Sequence, residues 1–243
     1  MEPTRESQPQ ILTIPMAIVL AAVIIGGVLL YMYRPATTAQ PNANGQVAPS
    51  ATVPDTSALP PVTAADHILG NPNAQIIIVE YSDTECPYCK QFQNTLHQVI
   101  NDYGASGQVA WVYRDFPIAQ LHPRSPKEAE ATECAGELGG QAIYWKYLDE
   151  IYAITPSNNG LDPTQLPKIA KDVGLDVNAF NSCLSSGKYA QKVETDRAEA
   201  VAAGGNGTPF SVLITTKDGI QTPITGAYPY EQLKPMIDAL LKS

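Results

Sequence analysis

An α/β layer fold interrupted by a block of helices is the architecture this chain predicts. Three observations carry it. The run "QIIIVEY" (75–81) is short, rich in β-branched residues and apolar save for one acid, as a strand buried on both faces requires. Helical periodicity dominates from about residue 126 to 201. Near the end, "PFSVLITT" and "GIQTPITG" flank "KDG", a hairpin signal.

Taken in order, the chain begins with a short polar tail, residues 1–10. Residues 11–33, "ILTIPMAIVLAAVIIGGVLLYMY", carry no charge, and as a helix at about 1.5 Å per residue they reach roughly 35 Å, enough to cross a bilayer core. Pro15 falls in the first turn, and Tyr31 and Tyr33 suit the far interface. The run exceeds the core of a cleaved signal peptide, although "TTAQ" (37–40) ends in a weak small-x-small site; a single transmembrane signal-anchor is expected. Residues 34–65 hold six prolines and one acid, Asp55, and read as a disordered, solvated linker. The folded domain is expected over 66–243. After the first strand comes a helix with Cys89, Phe92, Leu96, Val99 and Ile100 on one face, stopping near Gly104. "QVAWVYRDF" (108–116) is the second strand. The helical insertion spans about 120–203, broken by "TPSNNGLDP", Gly174 and Gly187. The hairpin follows, and "YPYEQLKPMIDALLK" closes the chain as an amphipathic helix with a proline inside it.

Hydrophobic residues at 44% and charged residues at 16% provide for a real core. The net charge of −9 opposes nucleic-acid phosphates, and no Lys/Arg cluster reverses it locally. Four cysteines are ordinary as disulfides outside a reducing cytosol and unusual within one. Arg5 and Arg34 flank the apolar run evenly, so charge alone leaves its orientation open. A short internal tail with the rest extracytoplasmic, on a bacterial-type cell membrane, is the simpler topology.

The stretch "SDTECPYCKQF" (82–92) carries the chemistry. A structural zinc needs four ligands, usually in close pairs, whereas Cys134 and Cys183 are isolated and have no histidine nearby in sequence. A purely structural Cys86–Cys89 bridge closes too short a loop to stabilise much. A redox role uses every neighbour. Asp83 or Thr84 is placed to cap a helix beginning around Cys86, whose sulfur then sits where orphan amides and the macrodipole favour a thiolate. Pro87 suits the first turn, and Cys89 lies one turn on, within disulfide reach and the more buried of the two. Glu80, an acid in an apolar strand, must be paired or protonated if buried, or else lies at a strand end pointing into water.

"EYSDTECPYC", followed much later by "GNGTPF", resembles the thioredoxin fold in its DsbA-like form, extracytoplasmic thiol:disulfide oxidoreductases with a helical domain inserted into the thioredoxin core. The resemblance covers about residues 66–243. It implies that Cys86 attacks, Cys89 resolves, Glu80 relays a proton for the resolving thiol, and Pro209 is a cis-proline facing the pair. Pro87, Tyr88, Thr208 and Pro209 are then substrate contacts. Gly205 stands where the family has an apolar residue, which implies looser local packing. Lys90 is either a helper of the thiolate or a solvated helix residue. His122 resembles a residue at the start of the insertion, but no sequence argument brings it to the site. Relatives carry a pair like Cys134 and Cys183; bridged, they close a loop worth roughly 4 kcal/mol in the chain-entropy model, and a second redox-active pair is the alternative. No bound cofactor is implied. The expected substrates are cysteine-containing unfolded or secreted proteins, and the expected partner is a membrane quinone-linked thiol oxidase. Disulfide formation is the expected activity. Proline-tyrosine between the cysteines, where strong oxidants have proline-histidine, keeps reductase or isomerase activity open, as well as a non-catalytic, tethered polypeptide-binding role.

Overall fold

The computed structural model describes residues 53–242. The elements are β1 (His67–Leu69), β2 (Ile76–Ser82), α1 (Pro87–Val99), β3 (Val109–Asp115), α2 (Ser125–Ile154), α3 (Leu166–Asp172), α4 (Val177–Ser186), α5 (Ala190–Ala202), β4 (Phe210–Thr215), β5 (Gln221–Thr225) and α6 (Tyr230–Leu240). The five strands form one sheet in the order β1-β3-β2-β4-β5. β2 and β3 are parallel, Ile76 opposite Val109 and Glu80 opposite Tyr113; the other pairs are antiparallel.

The alternation of β2 explains the layers. Ile76 and Ile78, with Trp111 and Tyr113 from β3, face Phe92, Leu96 and Val99 of α1 and Leu233 and Ile237 of α6. Ile77, Val79 and Tyr81 face the other way, onto Ala200, Phe210 and Leu59. All seven β2 residues are buried, as a strand covered on both faces must be. The helix α6 continues through Pro235.

The insertion has a core of its own, with Cys134, Tyr147, Ile151, Leu166 and Phe180 in contact. Its long helix α2 is bent at Gly140, where φ 74 and ψ −174 suit a residue without Cβ. Beyond the bend Tyr144, Trp145, Leu148 and Tyr152 reach back into the sheet's core. One helix therefore belongs to both parts.

Two expectations change. The strand β1 was not anticipated; three residues are too few to show a period of two. The stretch up to residue 65 is not wholly a solvated linker. Thr56–Ala58 form a 3₁₀ turn capped by Asp55, Thr56 and Leu59 are buried, and Arg114 donates to the Pro60 and Pro61 carbonyls. Composition marked this stretch as unable to build a core, but it needs only to lie on one. The apolar run 11–33 and residues 34–52 lie outside the described residues, among which no helix is long and apolar enough to cross a membrane.

Candidate active site

β2 delivers Glu80 and Ser82 to the C-terminal edge of the sheet, and after a turn through Asp83–Glu85 the chain enters α1. Cys86 is the N-cap residue, in extended backbone, and Pro87 holds the first helical position. The expected capping by Asp83 or Thr84 is not found. Thr84 donates instead to Glu128 at 2.6 Å. One Asp83 oxygen accepts the Glu85 N–H at 2.8 Å; the other takes the Ile118 N–H at 2.7 Å and the Ser125 hydroxyl at 3.2 Å, and lies 3.0 Å from His122 Nδ1. With the cap position left to a thiol, the amides of Tyr88 and Cys89 turn to the Cys86 sulfur.

The two thiols are sharply unequal. Cys86 retains 6% exposure and Cys89 none. A hydrogen bond from the Cys89 thiol, against the cost of desolvation and together with the first-turn amides, brings Cys86 down to about 6. Burial, first, and the neighbouring Cys86 push Cys89 well above the usual thiol range. The Thr208–Pro209 bond is cis, and the Thr208 carbonyl lies 3.5 Å from the Cys86 sulfur. Pro87 and Tyr88 are exposed beside it, Thr208 is half-buried and Pro209 buried.

Glu80 does not point into water. It is fully buried, accepting the Ser82 hydroxyl at 2.7 Å and the Trp111 indole N–H at 3.0 Å. Burial raises its carboxyl to about 7, with those two hydrogen bonds opposing. Ser82 also bonds the Tyr152 hydroxyl at 3.1 Å and stands against the Cys89 thiol. A path of exchangeable protons therefore runs from Cys89 through Ser82 to Glu80. Trp111, Ser82 and Tyr152 were not legible beforehand: the aromatic at 111 is a visible signal, but its partner depends on strand register.

Lys90 is half-exposed, and its ammonium turns to the carbonyls of Thr155 (2.6 Å) and Ala153 (3.4 Å), closing the end of α2. His122, without sequence support, sits on Asp83, three residues before Cys86. Packing at Gly205 is tight rather than loose: a Cβ there would meet the Ala200 carbonyl and the Phe210 ring at 2.9 Å. Cys134 and Cys183 are joined in a disulfide between α2 and α4. Carboxylate oxygens of Asp115, Glu133 and Asp196 converge within 4.8 Å, but the Lys192 ammonium lies 3.0 Å from Glu133 and 2.8 Å from Asp196 and already supplies the cation.

The family model described as Thioredoxin matches residues 62–239. The chain belongs to the thioredoxin family. Its form is DsbA-like. Pseudomonas aeruginosa DsbA2 superposes with a TM-score of 0.65 at 26% identity, over 75% of this chain and 98% of that one. Wolbachia pipientis alpha-DsbA1 matches with a TM-score of 0.66 over 77% of this chain and 96% of that one; its 24% identity speaks for the fold alone. In sequence, 144 residues are 32% identical to part of Na(+)/H(+) antiporter NhaA 3 of Salinispora tropica, covering 59% of this chain and 21% of that protein. The chain thus spans about a fifth of the length of such a curated relative.

Proposed function

We propose that this protein is an extracytoplasmic thiol:disulfide oxidoreductase that forms disulfides in cysteine-containing secreted or envelope proteins. The inequality of the two thiols carries the reading: a nucleophile held as thiolate at a helix start, and a buried partner that must be supplied with a proton. In the oxidised enzyme a substrate thiolate attacks the Cys86 sulfur; the Cys86–Cys89 bond breaks and Cys89 leaves with the electron pair. Ser82 and Glu80 are placed to return a proton to it, a carboxyl near 7 being matched to that task. A second substrate thiolate attacks the substrate sulfur of the mixed disulfide, and Cys86 leaves as thiolate. The substrate loses two electrons and two protons, and the enzyme gains a dithiol. Stabilising the Cys86 thiolate stabilises the reduced state, which is what makes a disulfide an oxidant.

The apolar run 11–33 would anchor the domain on the outer side of a bacterial-type membrane, and a quinone-linked thiol oxidase there would take the electrons from Cys86–Cys89. Equilibration of the couple against glutathione, with Cys134 and Cys183 trapped and counted separately, tests the direction. A potential near or above that of glutathione is expected; one near thioredoxin would make the domain an electron donor and end the oxidase reading.

A further inference from the structure

The turn leading into Cys86 holds a second pair of like groups. Glu85 comes from that turn and Glu128 from the first turn of α2; both are buried, and their carboxyls stand against each other. One Glu85 oxygen accepts the Leu161 amide at 2.8 Å, and the other accepts the Gly160 amide and the Thr155 hydroxyl, each at 3.1 Å. The Glu85 carbonyl accepts the Asn158 amide at 2.7 Å. A single residue therefore holds the loop 155–161 from four points. The loop needs holding: Ser157, Asn158 and Asn159 stand in a row at φ 66, 55 and 67, backbone that L residues adopt only under constraint. It lies along the first turn of α1, where Lys90 bonds its Thr155 carbonyl, and it exposes Pro156 and Asn158 next to the residue preceding Cys86.

We propose that Glu85 and Glu128, bridged by one proton, are positioning residues that seat the loop 155–161 as part of the surface beside Cys86 on which a protein substrate docks. This rests on the exchange reading of Cys86. With both Glu85 oxygens filled by donors and the Thr84 hydroxyl on Glu128, the bridging proton belongs to Glu128. Burial first, then the facing Glu85, raises the Glu128 carboxyl to about 8. The other titratable or charged groups set against it are Asp83 from the same turn and Tyr147 from its own helix; Arg124, at the helix start, is directed to the Leu161 carbonyl. Once that proton passes to solvent, two carboxylates face each other out of water, and Glu85 can no longer keep its place under the loop.

The test compares the full chain with Glu128→Gln, which keeps a donor toward Glu85 and cannot ionise. KM and kcat for oxidation of reduced, unfolded lysozyme, with excess oxidised glutathione as the terminal oxidant, and the single-turnover rate of the oxidised enzyme with dithiothreitol are measured from pH 6 to 10 and expressed as parent-to-variant ratios, so that ionisation of the substrate thiols cancels. The expected result is a KM ratio rising from one to roughly tenfold about a midpoint near 8, the scale of one or two lost hydrogen bonds, with the kcat and dithiothreitol ratios staying near one. Glu85→Gln should show the high KM throughout, with faster hydrogen exchange at Gly160 and Leu161. A flat KM ratio, or a dithiothreitol ratio that falls in parallel, overturns the proposal. No exchange with dithiothreitol at any pH overturns the exchange reading beneath it instead.

Discussion

The two cysteine pairs show how little residue type decides alone. Cys86 and Cys89 lie one helical turn apart at the start of α1, with unequal thiols, a carboxyl below and a peptide carbonyl above. Cys134 and Cys183 are 49 residues apart, within α2 and α4, joined among Tyr147, Ile151 and Phe180. The first pair has a helix N-terminus to stabilise a thiolate and a proton carrier to serve its partner. The second is in mid-helix and instead ties two helices of the insertion. One setting is built for exchange and the other for restraint.

The largest effect should come from Cys86→Ser, which removes the attacking thiol at the helix start and should reduce dithiol exchange to background. Retained exchange would erase the contrast between the pairs. Replacing Cys134 and Cys183 together by alanine should cost about 4 kcal/mol in denaturant unfolding, from a closed loop of this length, while leaving exchange at Cys86 within about twofold. A comparable loss of exchange would mean that the insertion's bridge takes part in the chemistry.

Glu80→Gln should slow the step that protonates or deprotonates Cys89 by about 10²-fold, read as a pre-steady-state phase, since it removes the relay but keeps a hydrogen-bonding partner. The same variant has a sign-specific effect on stability. An acid raised from 4.5 to about 7 binds its proton more tightly folded than unfolded, so its contribution is full below about 4.5 and is lost as pH rises through about 7. That share, on the order of 3 kcal/mol, should disappear in the variant. A pH–stability slope unchanged by the substitution would place Glu80 in water after all. The smallest effect belongs to Lys90→Met: up to about 1 kcal/mol of stability from the open end of α2, with Cys86 thiolate absorbance titrating as in the parent. A clear rise in the Cys86 midpoint would return Lys90 to the thiolate.

Much of the site was legible because it is local. Cys86, Pro87 and Cys89 define a helix start within four residues, and the strand before them is unmistakable in "IIIV". Glu80 was legible as an anomaly, an acid where water is absent, but not its partners. The capping reading failed because Asp83 had better offers than the helix: its oxygens meet Ile118, His122 and Ser125, more than thirty residues away. The partners of Lys90 were hidden for the same reason, since its acceptors are carbonyls at 153 and 155.

The sequence by itself determined the strand-then-helix placement of Cys86 and Cys89, the helical block between the strands and the hairpin near the end, because each follows from periodicities and turn residues acting within a few positions. Only the tertiary structure decided that Glu80 is dry, that Trp111 and Ser82 hold it, and that Glu85 grips a loop 70 residues away. Desolvation and hydrogen bonding at those points depend on which distant surfaces meet, and no local pattern in the chain encodes that meeting.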